Sequence, residues 1–242
     1  MKRFDQNLKT KLIGNKGQLK LNKAKVCLVG LGGTGCPIFV YLHNAGVENI
    51  CSVDDDRVEE SNLNRQFIYN EDDVGNKKVD VILEKYGHNM KFDGKSMKGQ
   101  ISVVENSFQG WLEFLKKHDE NPPKFDLIIE ATDNFETKKA VQEFAFKQSI
   151  PCLICGVHGY QINMFAWHPK YSKNRYADLI NCDDNISEKS EGTFPTATGI
   201  LGTLVANEAI KILLELHEKV IYNRIWFYDI LHNQLKDLKI SV

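Results

Sequence analysis

The sequence predicts an α/β fold: a doubly wound, mostly parallel sheet that is extended by antiparallel strands. In the first 150 residues, short apolar runs of strand length alternate with segments of helical periodicity. Residues 160–168 alternate apolar and polar side chains, and residues 225–229 and 235–240 flank a turn, which together indicate added antiparallel strands. The chain has 242 residues, of which 42% are hydrophobic, so it is long enough to bury the core of one large domain.

The first apolar run, residues 25–30, leads directly into a glycine-rich loop and then into a helical segment that begins near Pro37. The loop has the order G-x-G-G-x-G, with Gly30, Gly32, Gly33 and Gly35. Glycines allow the backbone to approach a phosphate, and the free amides and dipole of the following helix attract negative charge. This Rossmann-like arrangement therefore predicts an anion cradle.

A second strand, residues 49–54, ends in Asp54. A nucleotide-binding βαβ unit places a ribose-binding acid about 20 residues beyond the glycine loop, so a nucleotide with a ribose is the expected ligand. Arg65 and Lys78 follow on segments that are expected to lie close to the loop. Two cations there suit a nucleotide that carries more than two phosphates.

The remaining elements follow from apolar periodicity and from helix breakers. Strands are predicted at 101–105, 125–130 and 150–155, and helices at 76–88, 110–117, 135–148 and 196–217. Residues up to about Lys20 predict a short helix followed by a turn at Gly14 and Gly17. In helix 76–88, we expect one buried face made of Val79, Ile82, Leu83 and Tyr86.

Strand 125–130 delivers Thr132, Asp133 and Asn134 at its carboxyl end. Ligands of doubly wound sheets bind at these ends, so Asp133 is expected to face the same crevice as the glycine loop and Asp54. Alternatively, Asp133 or Asn134 caps the following helix, and capping is compatible with metal binding.

These residues together resemble the ThiF/MoeB/HesA superfamily, the adenylating fold shared with ubiquitin-activating enzymes. Five blocks of that family's pattern occur in order, from about residue 26 onward. They are GxGGxG in the loop, D-x-D at Asp54 and Asp56, N-L-x-R-Q at 62–66, D-x-G-x-x-K at 73–78, and T-D-N at 132–134. Five ordered blocks are far more specific than a single glycine motif.

The resemblance implies ATP-dependent adenylation of the C-terminal carboxylate of a ubiquitin-like or sulfur-carrier protein, or of a peptide. It implies that Arg65, Lys78 and Asp133 act on the phosphates, with Asp133 holding Mg²⁺, and that Asp54 holds the ribose. The implied nucleotide contacts are Gly30, Gly32, Gly33, Gly35, Asp54, Asp56, Asn62, Arg65, Gln66, Lys78 and Asp133. For Asn62 and Gln66, a turn and a helix cap are equally good assignments.

The resemblance also implies an organisation into an N-terminal arm (1–22), a nucleotide-binding part (23–150) and a substrate platform (151–242), whose loop 169–195 crosses over the substrate's tail. Relatives are homodimers in which an arginine of the arm enters the partner's ATP site. Here Gln6 falls at that position, so either Arg3 or Lys9 replaces the arginine across the interface of a homodimer, or the site works with one cation fewer.

Two other functions stay open. An NAD-dependent oxidoreductase fits the unit from Gly30 to Asp54 but leaves Arg65, Lys78 and Asp133 without a role. A non-catalytic partner subunit of an activating enzyme fits the fold, although the complete motif set argues against it.

Charge and apolar content limit the function further. A net charge of −1 provides no basic field for nucleic acid, and no apolar run reaches the roughly 20 residues of a membrane span. We expect a soluble, cytoplasmic protein because no secretory leader is recognised at the N-terminus.

The cysteines predict neither a zinc site nor a covalent intermediate. Cys152 and Cys155 lie in a strand-like run, where positions i and i+3 point to opposite faces, so they do not form a zinc half-site or a redox pair. Relatives that form a thioester have a cysteine where this chain has Glu188. Cys182 is the only cysteine nearby, and Asp183 and Asp184 would raise its pKa, so we predict weak or absent thioester formation.

Overall fold

The computed structural model of the chain describes residues 2–87, 91–92, 95–96, 101–179 and 192–240. The strands are β1 (Lys25–Val29), β2 (Asn49–Val53), β3 (Lys91–Phe92), β4 (Lys95–Ser96), β5 (Ser102–Val104), β6 (Leu127–Glu130), β7 (Cys152–His158), β8 (Gln161–Trp167), β9 (Arg224–Asp229) and β10 (Gln234–Lys239). The α-helices are α1 (Asp5–Lys9), α2 (Gly14–Lys23), α3 (Gly35–Ala45), α4 (Lys78–Tyr86), α5 (Phe108–Lys117), α6 (Phe135–Gln148), α7 (Tyr176–Leu179) and α8 (Pro195–Leu213). Short 3₁₀ turns lie at Lys2–Phe4, Glu60–Asn62, Glu71–Asp73 and His217–Lys219.

One sheet contains eight of these strands in the spatial order β10-β9-β8-β7-β6-β1-β2-β5. The strands from β5 to β7 in this order run parallel, and β8, β9 and β10 continue the sheet as antiparallel strands. The chain proceeds outward from β1 to β2 and β5 and then returns to the other side of β1 with β6. The winding reverses between β1 and β6, and ligands of such sheets bind at this point. The predicted fold class is confirmed.

Helices cover both faces of the parallel strands, which is why these strands read as continuous apolar runs. On one face, α3 and α8 pack on the sheet and bury Phe39, Leu201 and Val205. On the other face, α5 and α6 bury Phe108 and Phe144. The sheet is therefore a rigid middle layer, and the loops at the carboxyl ends of its strands are held in fixed positions.

The predicted turn at Gly17 was wrong. Gly17 lies inside α2, and only Gly14, with φ of +50°, has the left-handed backbone of a turn. A Cβ atom at Gly17 would lie 3.1 Å from Leu214 Cδ2, so the missing side chain lets α2 approach the end of α8 closely.

The predicted inner face of α4 was also partly wrong. Leu83 is 43% exposed, whereas Val79, Val81 and Ile82 are buried. The reason is that Lys78 at the start of the helix is itself buried, which turns the inner face away from Leu83.

The two cysteines of the C-x-x-C pair do lie on opposite faces of β7. Cys152 belongs to the core under α5 and α6, and Cys155 belongs to the core under α3 and α8. Within the predicted loop 169–195 the structure has the short helix α7. Residues 180–191, including Cys182 and Glu188, lie outside the described residues, and the thioester prediction therefore stays a prediction. In the parts of the chain that are described, no helix has the length and apolar character needed to cross a membrane.

Candidate nucleotide-binding site

The glycine loop connects β1 to α3, and its glycines are needed for different reasons. Gly30 has φ of +93°, and a Cβ atom there would lie 2.9 Å from the carbonyl of Ala131. A Cβ atom at Gly35 would lie 2.0 Å from the carbonyl oxygen of Gly30. At Gly32 the nearest atom would be Gln66 Nε2, at 3.9 Å, so this glycine is open toward the cavity. Gly30 and Gly35 therefore shape the loop, and Gly32 leaves space for a ligand.

Asp54 follows β2 and holds the glycine loop in place. Its Oδ2 accepts a hydrogen bond from the backbone amide of Leu31 at 2.6 Å, and its Oδ1 accepts one from the amide of Asp56 at 2.9 Å. Burial raises the pKa of the Asp54 carboxyl, and the Lys78 ammonium and the two amides oppose that rise. Asp54 thus links the loop to the strand beside it.

Lys78 reaches the same place from α4. Its side chain is almost completely buried, and its Nζ lies 2.6 Å from Oδ2 of Asp56, whose own side chain is largely exposed. The ammonium is therefore held at the surface of the cavity by a carboxylate that water already hydrates. An anionic ligand can therefore replace Asp56 as the partner of this ammonium at a small cost in free energy.

The 3₁₀ turn Glu60–Asn62 and the residues after it form another wall. Asn62 Oδ1 accepts a hydrogen bond from the amide of Glu59, the N-cap residue, so Asn62 closes the capping box of this turn. Arg65 donates to the carbonyl of Ser61, and its Cγ would lie 3.3 Å from a Cβ atom at Gly33. Gln66 is buried, and its Oε1 has no hydrogen-bond partner among the described residues.

In the turn after β6, Asn134 and not Asp133 caps the following helix α6. Asn134 is the N-cap of α6, because its Oδ1 accepts a hydrogen bond from the amide of Thr137 at 2.9 Å. Asp133 is exposed, and its carboxylate makes no hydrogen bond or ion pair with any described residue. Asn134 takes the structural role, which leaves the Asp133 carboxylate available to a ligand.

These residues surround one cavity of about 520 Å³, a size typical of small-molecule sites. All the predicted nucleotide contacts line it except Gly35, which lies behind Gly30. The convergence expected from the sequence is thus present, because β1, β2 and β6 are neighbours and end at the same edge.

Part of the lining was not predicted from the sequence. Asn106, Ser107 and Phe108 contribute from the start of α5, and Gly156, Val157 and Thr193 contribute from β7 and from the segment before α8. A sequence pattern could have indicated residues 106–108, because Ser107 follows a predicted strand and is the N-cap of a helix. The others carry no motif and are identified only by their position.

The acidic residues after β2 form a cluster that was not predicted from the sequence. Asp54, Asp55 and Asp56 offer carboxylate oxygens that all lie within 4.8 Å of one another. Asp54 is already bonded to two amides and Asp56 to Lys78. Asp55 and Asp133 both line the cavity with carboxylates that no described residue bonds, and of the two Asp133 is the metal ligand predicted from the sequence.

Comparison with known proteins places these features in context. The ThiF family profile matches residues 4–242. A probable molybdopterin-synthase adenylyltransferase of Gracilaria tenuistipitata var. liui is 28% identical over 244 residues, which cover 99% of this chain and 64% of that protein. A sulfur carrier protein adenylyltransferase of Thermus thermophilus is 27% identical over 246 residues, which cover 98% of this chain and 86% of that protein.

The fold is shared with a solved structure. The crystal structure of E. coli MccB with ATP matches with a TM-score of 0.80 and 21% sequence identity, and the match covers 99% of this chain and 72% of that chain. This chain is therefore shorter than each of these three proteins, and it spans just under two thirds of the Gracilaria protein.

Proposed function

Because this chain belongs to the ThiF family, we propose that it catalyses the ATP-dependent adenylation of a C-terminal carboxylate. The substrate class we infer is a ubiquitin-like or sulfur-carrier protein, or a peptide, and the name of the Thermus thermophilus relative supports the carrier. The observation that carries the proposal is the convergence of the glycine loop, Arg65, Lys78 and Asp133 on one cavity. An NAD-dependent oxidoreductase would have no use for these three charged side chains.

The chemistry of the cavity suits ATP. At Gly32 the backbone is open to the cavity, so phosphate oxygens can approach the loop amides and the N-terminus of α3. Gln66 has a buried acceptor without a partner among the described residues, which a hydroxyl or amino group of a nucleotide would satisfy. We assign the phosphates to Arg65 and Lys78.

We assign the ribose to Asp54. Its two oxygens each accept one backbone hydrogen bond, and an ionised carboxylate has about four acceptor sites, so capacity remains for ribose hydroxyls. Asp56 serves as the resting partner of the Lys78 ammonium. When a phosphate approaches, Lys78 can turn to it, and the exposed Asp56 carboxylate then relies on water.

Mg²⁺ fits the donor set at Asp133. Carboxylate and phosphate oxygens are the ligands that Mg²⁺ prefers, and Asp133 offers a free carboxylate at the cavity wall. A bound Mg²⁺ would neutralise charge on the triphosphate.

In the proposed reaction, the substrate carboxylate attacks the α-phosphorus of ATP, an acyl-adenylate forms, and pyrophosphate leaves. Negative charge grows on the pyrophosphate, so positioning and electrostatic stabilisation by the loop amides, Arg65 and Lys78 supply the catalysis. The lining by Gly156, Val157 and Thr193 is the side from which a substrate tail would enter, since it is free of the nucleotide-binding motifs.

We also propose a homodimer and a cytoplasmic location. Arg3 lies beside Asn44, with its Nη2 3.3 Å from Asn44 Oδ1, at the opposite end of α3 from the glycine loop. An 11-residue helix spans about 16 Å, so Arg3 is too distant to serve its own chain's cavity. If Arg3 acts on ATP, it acts on the cavity of a second copy.

Two measurements test the assembly. Sedimentation at micromolar concentration should give a dimer. The Arg3→Ala variant should remain a dimer and should catalyse adenylation several-fold more slowly. A monomer would contradict the dimer, and an unchanged rate in Arg3→Ala would contradict the role of Arg3.

Two measurements test the activity. Calorimetry should detect binding of a non-hydrolysable ATP analogue with Mg²⁺ and no tight binding of NADH. The protein should exchange labelled pyrophosphate into ATP only with Mg²⁺ and a carboxyl substrate, and folded Lys78→Ala or Asp133→Ala should lose this exchange. Tight NADH binding without ATP binding would favour the oxidoreductase, and a protein that binds neither nucleotide would favour the non-catalytic subunit.

A further inference from the structure

A buried ion pair lies directly under the turn that carries Asp133. Glu130 is the last residue of β6 and is completely buried, and Lys138 on α6 is 7% exposed. Lys138 Nζ lies 2.6 Å from Glu130 Oε2. A buried ion pair is weak evidence for a stabilising role, because apolar residues of similar volume often serve the fold as well. The contacts of this ion pair with the turn indicate a role other than stabilising the fold.

The Lys138 ammonium uses all three of its donors at one place. Besides Glu130, it donates to the carbonyl of Thr132 at 2.6 Å and to the carbonyl of Cys155 at 2.7 Å. Thr132 belongs to the turn after β6, and Cys155 lies on β7 beyond the last residue that pairs with β6. Lys138 thus connects two neighbouring strand ends where their backbone ladder has stopped, and both Thr132 and Cys155 line the cavity.

The residues on each side of Asp133 are held as well. Glu130 Oε1 accepts hydrogen bonds from the amide of Thr132, at 2.8 Å, and from its hydroxyl. On the other side, Asn134 is fixed as the N-cap of α6. Of the three polar residues 132–134 in this turn, Asp133 is therefore the one whose side chain has no bond to the described parts of the protein, and its two neighbours are held in place.

We propose that Lys138 is a positioning residue that, with Glu130, presents the Asp133 carboxylate to Mg²⁺ on the bound nucleotide. This inference rests on the proposed function, in which Asp133 holds the metal. Lys138 does not line the cavity, so it would not contact the nucleotide or the metal itself. It acts through the Thr132 and Cys155 carbonyls, which would otherwise lose their donor and let the turn move.

The variant that isolates this role is the double change Glu130→Gln with Lys138→Met. It removes both buried charges together. The introduced glutamine keeps an acceptor for Thr132, but the introduced methionine has no donor and cannot hold the two carbonyls. The single change Lys138→Arg should retain the positioning role, since a guanidinium keeps the charge and has five donors. Lys147→Met is the matched control, because Lys147 lies on the same helix with its side chain 72% exposed.

Two readouts are needed. Hydrogen exchange of the backbone amides of residues 131–135 reports on the turn in the free protein. Calorimetric titration of Mg²⁺ into the protein with a saturating non-hydrolysable ATP analogue reports on the metal. In the double variant we expect at least tenfold faster exchange in the turn and at least tenfold weaker Mg²⁺ binding, whereas Lys138→Arg and Lys147→Met stay within about twofold of the parent.

Each result decides the proposal. A folded double variant with parental exchange and parental Mg²⁺ affinity overturns it, and so does a double variant that does not fold, because the pair would then serve the fold itself. If the parent binds no ATP analogue, the proposed function fails, and the exchange measurement still decides whether Lys138 holds the turn.

Discussion

Replacement of Lys78 by Met removes one ammonium from the cavity and leaves most of the buried stem in place. The Lys78 side chain is 4% exposed, so a shorter residue would open a hole, whereas Met fills nearly the same volume. The abandoned partner, Asp56, has a side chain that is 67% exposed, so water hydrates it after the change. We therefore expect the free energy of unfolding to change by no more than about 1 kcal/mol.

The effect on nucleotide binding should be larger. In the free protein Lys78 Nζ is bonded to Asp56 at 2.6 Å, and on binding it exchanges this exposed partner for a phosphate. A hydrogen bond to a charged group has a net value of about 1.5–3 kcal/mol. The dissociation constant for a non-hydrolysable ATP analogue should therefore rise roughly 10- to 150-fold.

The neighbouring residue provides the control. Lys77 carries the same charge, but its Nζ bonds to Glu105 at 2.6 Å, and it does not line the cavity. Calorimetry should therefore find Lys77→Met close to the parent and Lys78→Met much weaker, with both variants melting near the parental temperature. A folded Lys78→Met protein that binds the analogue as tightly as the parent would refute the assignment of Lys78 to the phosphates.

Other predictions concern the loop and pH. Gly32→Ala should leave the melting temperature almost unchanged but weaken binding of the ATP analogue, because the added methyl group would project into the open cavity. Gly35→Ala should lower the melting temperature, because its Cβ would lie 2.0 Å from the Gly30 carbonyl oxygen. Equal effects of the two changes on melting would contradict this division. Burial, with Arg3 nearby, lowers the pKa of His43 from 6.5 to about 4, so between these pH values the unfolded chain takes up a proton that the folded protein does not. Through His43 alone, the free energy of unfolding should fall by up to about 3 kcal/mol as the pH drops through this window. Burial lowers the pKa of His168 to about 4 as well, so urea titrations of His43→Phe should find a fall that is smaller than in the parent by the His43 contribution.

Much of the fold could be predicted because the signals are local. The alternation of apolar runs with helical periodicity located the strands of the sheet, and the glycine loop marked the first turn from strand to helix. The errors occurred where a distant contact overrides a local pattern. Gly17 reads as a turn residue, but in the structure it lets α2 approach Leu214, and Leu83 loses its buried place because Lys78 occupies the inner face.

The candidate site also has features that could be predicted from the sequence and features that depend on the tertiary structure. By itself, the sequence determined that its motif residues gather at the cavity, because the carboxyl ends of neighbouring parallel strands meet at one edge. The lining by Gly156, Val157 and Thr193, which carry no motif, became visible only in the tertiary structure. Only the tertiary structure decided what each motif residue bonds to. It paired Lys78 with Asp56, gave the capping role to Asn134 and thereby freed Asp133, and placed Lys138 under two strand ends. These partners depend on the order of the strands in the sheet and on the packing of α4 and α6 against it, and neither is encoded in the spacing of residues along the chain.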